Sequence, residues 1–167
     1  DMAEAATSPE PRTVLFFGRI SPYKGIEDLY TAAPQICKEL PGMRFIVAGK
    51  PIPGYTLPAT PHLPNGGTLE LIPEYIPNRQ CASLFQRASL VVCPYRDATQ
   101  SAVILTAYAF GKPVIATRTG GLPEYVDEGS TGLLVTPGEP DAMADAIIKL
   151  LRQLETDPHA AARYQRA

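Results

Sequence analysis

The sequence predicts an α/β domain: a mostly parallel six-stranded sheet with helices on both faces. Three observations predict it. Short runs that are apolar on nearly every residue, such as "RTVLFFG" (12–18) and "SLVVC" (89–93), suit strands covered from both sides. Between them lie longer stretches whose apolar residues recur at helical spacing. The two kinds alternate along the whole chain, the rhythm of strand–helix–strand units in a three-layer arrangement.

Taken in order, "RTVLFFG" is the first strand, ending at Gly18. Residues 24–40 form a helix with Ile26, Leu29, Tyr30, Ala33, Ile36, Cys37 and Leu40 on one face. Pro34 removes a backbone donor inside it and predicts a kink. "MRFIVAG" (43–49) is the second strand. Residues 50–67 carry Pro51, Pro53, Pro58, Pro61, Pro64 and the pair Gly66-Gly67, a long surface loop. "TLELI" (68–72) is the third strand, and Pro77 opens a helix with Cys81, Leu84, Phe85 and Ala88 inward. A fourth strand at 89–93, a helix near 100–110 and a fifth strand at 113–117 follow. "TGLLVTP" (131–137) is the sixth strand. Pro140 begins a helix that turns Met143, Ala144, Ile147, Ile148, Leu151 and Leu154 inward, and 157–167 add a short last helix. No internal repeat is present. Residues 1–11 read as linker or remnant and 12–167 as the domain; a start at Asp1 implies an excised domain.

Composition narrows the function. The chain has 167 residues, 45% hydrophobic and 19% charged, with a formal net charge of -2. That balance argues against a general nucleic-acid binder, which needs a basic excess. No apolar run approaches the roughly 18 residues of a membrane span, and no secretory leader is read at the start. Cys37, Cys81 and Cys93 are odd in number and widely spaced, so neither a disulfide framework nor a zinc cluster is expected. Each falls in an apolar pattern and is expected as a small buried hydrophobe in a reducing compartment.

In sheets of this type ligands bind beyond the carboxyl ends of the strands. After the first strand comes "GRISPYKG": Gly18 allows a tight exit, and the Ser21-Pro22 turn separates Arg19 from Lys24. Either the turn points both cations into one crevice, suiting a diphosphate, or they are solvated surface charges. After the fourth strand, Asp97, Thr99 and Ser101 all suit a helix N-cap. The amides of residues 100–102 then make an anion site or are simply capped. After the fifth strand, Gly120-Gly121 gives close backbone approach or merely a turn, and Glu124 is a ligand or a helix-start acid.

There is no G-x-G-x-x-G after the first strand and no Walker A sequence. His62 lies in the proline-rich loop and His159 near the end, so no Ser-His-Asp set is apparent, and no His/Cys/Asp set suggests a metal. The chemistry left is anion binding and leaving-group stabilisation.

"VLFFGRISPYKGIEDL", "MRFIVAGK", "AYAFGKPVIATRTGGLPEYVDEGSTGLLV" and "PDAMADAIIKLL", in that order over about residues 12–154, resemble the carboxyl-terminal half of retaining GT-B glycosyltransferases of family four. The resemblance implies a Rossmann-like domain, one half of a GT-B fold, that binds a nucleotide-sugar donor such as a UDP or GDP sugar. Arg19 and Lys24 match the diphosphate-binding pair, with Gly18 beside them. Residues 72–77, with Ile72 and Ile76 as candidates, match the segment that contacts the base, largely through backbone. Gln100, Ser101 and Ala102 stand at the central helix start. The family commonly carries two glutamates eight positions apart there; this chain has Ala98 and Thr106. Thr106 keeps one hydroxyl for the ribose, and Gln100 and Ser101 take over part of the sugar contact.

The resemblance further implies a glycosyltransferase of polysaccharide biosynthesis, cytoplasmic or at the membrane face, with no metal or other cofactor. Its partners are the sugar donor and an amino-terminal acceptor domain of the same protein, which carries any membrane attachment. These 167 residues alone are expected to bind donor without turning it over. Two alternatives stand: a non-catalytic nucleotide-sugar-binding or scaffold module, motivated by the missing acids, and an unrelated flavodoxin-like binding domain.

Overall fold

The computed structural model describes residues 9–98 and 101–165. Its strands are β1 (Thr13–Phe17), β2 (Arg44–Ala48), β3 (Thr68–Ile72), β4 (Leu90–Cys93), β5 (Val114–Thr117) and β6 (Gly132–Val135). Its helices are α1 (Ile26–Glu39), α2 (Asn78–Arg87), α3 (Ala102–Ala109), α4 (Pro140–Thr156) and α5 (Pro158–Gln165). Short 3-10 turns occupy Pro22–Lys24 and Leu122–Tyr125.

One sheet holds all six strands in the order β3-β2-β1-β4-β5-β6. Every pairing is parallel, so the expected mostly parallel sheet is wholly parallel. Leu15 pairs with Ile46 on one side and Val91 on the other, which places β1 at the centre. Its apolar run is buried from both faces, as are β4 and β5. β3 is an edge strand, and its "TLELI" leaves Glu70 exposed and Leu71 36% exposed.

From β1 the chain first moves outward to β2 and β3, then returns to β4 and moves out on the other side. With right-handed crossovers, that reversal puts helices on both faces. α1 and α4 pack together on one face. On the other, the Phe85 ring of α2 lies 5.2 Å from Phe17 and 5.6 Å from Phe110, joining α2, β1 and the end of α3. The reversal also opens a gap between the carboxyl ends of β1 and β4, where such folds bind ligands.

Most element boundaries match the sequence expectation within two or three residues. Pro34 sits inside α1 without ending it. Pro77 precedes α2 as its N-cap residue rather than its first turn. Leu154 is only half-buried, because α4 is near its end there. Cys37 and Cys93 are buried as expected, but Cys81 is only partly so, because it packs against the core while also lining a cleft.

Candidate diphosphate site at the switch point

Two strand exits build the site. β1 ends at Gly18 with φ 134, a conformation that favours glycine. A Cβ placed there would lie 3.7 Å from Val103 Cγ2, so the β1 exit runs beside the first turn of α3. β2 ends at Gly49, where a Cβ would overlap the Gly18 carbonyl oxygen. These two glycines let neighbouring strand ends close together, and the cations that follow them share one space.

That space is a cleft of about 450 Å³ at the carboxyl ends of β1 and β2. Gly18, Arg19, Lys50, Tyr75 and Ile76 are among its lining residues, with Glu74 and Cys81 on the same wall. The expected Gly18, Arg19 and Ile76 are therefore brought together. Ile72 is not on that lining; its carbonyl accepts from Gly49 and Glu74, both at 3.0 Å, and so shapes the floor. Lys50 was not singled out from the sequence, although it follows a strand-end glycine as Arg19 does. A larger depression of about 550 Å³ lies between α1 and α4, on the outer helices and away from the strand exits.

Lys24 is not among the residues lining the Arg19 cleft and sits instead against the chain after β4. Its ammonium nitrogen sits 4.3 Å from the centre of the Tyr95 ring. The Tyr95 hydroxyl lies 3.5 Å from Ser101 Oγ, a long contact for two hydroxyls. Ser101 occupies the N-cap position of α3 but makes no side-chain cap. The first amides of α3, from Ala102 on, have no intrahelical partner by the geometry of any helix start. Gly18 lines the Arg19 cleft and also passes the first turn of α3.

Burial lowers the Lys24 pKa, and burial pushes the neighbouring Cys93 thiol up to about 11. Burial likewise drives the Tyr95 phenol above its usual range. The two β4-side groups near Lys24 are therefore neutral at physiological pH.

Thr106 turns its hydroxyl back to the Ala102 carbonyl at 3.0 Å, so its proton is used inside α3. Ala98 is half-buried against the core. Gln100 and Thr99 lie outside the described residues. Asp97 is exposed and does not cap α3, because Ser101 holds that position. Glu124 is exposed in the first turn of the 3-10 segment after β5. Among the described residues no group of three or more His, Cys, Asp or Glu side chains is placed to hold a metal ion.

Sequence reasoning missed the residues that lock the two exits to each other. Arg96 pairs with the buried Asp28 through Nε to Oδ2 at 3.1 Å and Nη2 to Oδ1 at 2.8 Å. The Arg96 amide donates to the Tyr23 carbonyl at 2.8 Å. Thr117, fully buried at the end of β5, donates to the Tyr95 carbonyl at 2.6 Å. The charged "YRD" directly after a buried strand was the available signal.

A doubly wound α/β domain with cations at its switch point is the class that fold and site define. Residues 11–153 match the family model described as Glycosyl transferases group 1, and the chain belongs to that family. It is 39% identical over 146 residues to a D-inositol 3-phosphate glycosyltransferase of Mycobacterium avium, covering 83% of this chain and 33% of that protein. A protein of the same name from Corynebacterium glutamicum is 34% identical over 151 residues, covering 87% and 36%. The chain thus spans about a third of the length of these curated relatives. Among solved structures, the fold resembles the C-terminal domain of the glycosyl transferase group 1 protein LpcC from Francisella tularensis. The TM-score is 0.73 at 22% identity, over 98% of this chain and 85% of that one. It also resembles Anabaena Alr3699/HepE, solved in complex with UDP-glucose, with TM-score 0.73 at 23% identity over 99% and 44%. No helix among the described residues is long and apolar enough to cross a membrane.

Proposed function

We propose that this chain is the donor-binding portion of a glycosyltransferase that moves a glycosyl group from a nucleoside-diphosphate sugar to a hydroxyl acceptor with retention. What supports the reading is Arg19 in the cleft at the carboxyl ends of β1 and β2, the β1 exit beside the first turn of α3, and the half-buried Lys24 held on the Tyr95 ring after β4. As the sugar bond breaks, negative charge collects on the departing diphosphate. Arg19 offers a planar fork to two oxygens, Lys24 a point charge, and the α3 amides a set of fixed dipoles. Positioned donors of this kind stabilise the developing charge electrostatically. Lys50 on the cleft wall adds a third cation, and the 72–77 segment offers backbone to the base. The acceptor site belongs to the region of the protein outside these residues, as does any membrane attachment.

Calorimetric titration with UDP, GDP and ADP tests the reading. Arg19→Ala and Lys24→Ala should each weaken the preferred diphosphate by about tenfold or more, as loss of a charge-assisted hydrogen bond implies. Unchanged affinity in both variants removes the assignment.

A second reading has its own observation. Ala98 has no polar side chain and the Thr106 proton is held by Ala102, so the two positions matched to the family's acid pair offer the sugar and ribose little. On this reading the protein binds nucleotide sugar without transferring it. A full-length protein that binds donor yet neither hydrolyses nor transfers it would select this reading over the first.

A further inference from the structure

Lys24 is half-buried with no carboxylate in salt-bridge range among the described residues. A lysine that loses hydration usually finds an acid or extends into water. Here the ammonium rests on the Tyr95 ring at 4.3 Å, and Tyr95 is 1% exposed. An aromatic face attracts a cation through its quadrupole. Unlike a carboxylate, it fixes the cation's position without cancelling its charge. Burial lowers the Lys24 pKa, the mark of an ammonium held against its own desolvation cost.

The seat itself is rigid. The Tyr95 carbonyl accepts from buried Thr117. Gly25, the residue after Lys24, touches the Pro94 carbonyl so closely that a Cβ would overlap it. Arg96 then binds both the Tyr23 carbonyl and Asp28, so residues on either side of Tyr95 grip residues on either side of Lys24.

From these contacts we infer that Tyr95 is a positioning residue of the diphosphate site: its ring holds the Lys24 ammonium uncancelled and aimed beside the start of α3. The inference rests on the reading of Lys24 as a diphosphate ligand. It assigns to Tyr95 a task that filling the core does not require, because any large apolar side chain would fill that volume.

The experiment is a double-mutant cycle read by calorimetric titration of the 167-residue chain with UDP and with inorganic pyrophosphate. Lys24→Met should weaken both probes by about tenfold or more. Tyr95→Leu should weaken them by roughly 3- to 30-fold, the span of a partly desolvated cation–ring contact. Tyr95→Phe keeps the ring and should stay within about twofold. In the Lys24→Met background, Tyr95→Leu should cost less than about twofold, because its effect runs through the missing ammonium. Failure of the unaltered chain to bind either probe, or an inert Lys24→Met, overturns the diphosphate reading and the inference with it. A strong Lys24→Met effect beside an inert Tyr95→Leu, or a Tyr95→Leu cost undiminished without Lys24, overturns the inference alone. Should Tyr95→Leu not fold, Tyr95→Phe is compared with 3,4,5-trifluorophenylalanine at position 95, which keeps the shape and weakens the quadrupole. Affinity should then fall on fluorination, and equal affinities refute the Tyr95 role.

Discussion

Asp28 in α1 and Arg96 after β4 meet as a two-point pair, 3.1 and 2.8 Å long, across 68 residues of sequence. The Asp28 side chain is 7% exposed and that of Arg96 51%. The pair therefore has a buried acid and a half-solvated base, and the two truncations should not be equivalent. Arg96→Leu strands a buried carboxylate, which should cost about 2 kcal/mol or more in urea unfolding. Asp28→Asn leaves Arg96 free to hydrate and should cost less, about 1 kcal/mol. A larger loss from Asp28→Asn would show that the acid is held by something other than Arg96.

Two glycines with left-handed backbones separate two effects of adding a methyl group. Gly25 has φ 72 and a Cβ there would overlap the Pro94 carbonyl, whereas Gly42 has φ 74 and nothing within 4 Å. Gly42→Ala should cost about 1 kcal/mol for the left-handed backbone alone. Gly25→Ala must also push its loop away from the Pro94 backbone and should cost at least about 2 kcal/mol more, with weakened diphosphate binding. Equal melting losses in the two variants would show that the 25–94 approach is not tight.

Lys24 predicts a pH dependence of known sign. Burial sets its folded pKa below the ordinary 10.5. Between the folded value and 10.5 the folded chain binds fewer protons at Lys24 than the unfolded chain, so this group makes stability rise with pH. Diphosphate binding favours the ammonium, so UDP affinity should fall with rising pH in the same window, with proton uptake on binding. The Cys93 thiol, held up to about 11, acts on stability in the opposite sense above its ordinary 9.0. The Lys24 contribution is therefore the difference between the unaltered chain and Lys24→Met. Parallel alkaline profiles for the two would contradict it.

Thr106 lies within α3, and its hydroxyl donates back to the Ala102 carbonyl of the same helix at 3.0 Å. Thr106→Val should shift stability by less than about 0.5 kcal/mol, since such back-bonds contribute little. Thr106→Glu should tighten UDP about tenfold and leave pyrophosphate unchanged, because a carboxylate gains the ribose hydroxyls only. Equal gains for both ligands would mean that the new charge acts elsewhere.

The sequence by itself determined the elements and their type. Apolar runs such as Val14–Phe16 and Leu90–Cys93 can only be satisfied by cover on both faces, and the i, i+3, i+4 spacing in Ile26–Cys37 leaves one inward stripe. Gly18 and Arg19 were legible because a strand exit and its cation are local in the chain. Tertiary structure alone decided which loops meet. Tyr95 reads in sequence as a loop aromatic, Asp28 as a first-turn acid and Lys50 as a surface charge; each acquires its role only when the chain reverses between β1 and β4. Lys24 shows the limit most clearly. Its charge was evident from the sequence, but its seat on Tyr95 depends on a partner 71 positions away in number, from 24 to 95. Such pairings are fixed by sheet order and by close backbone approach, and no local pattern encodes either.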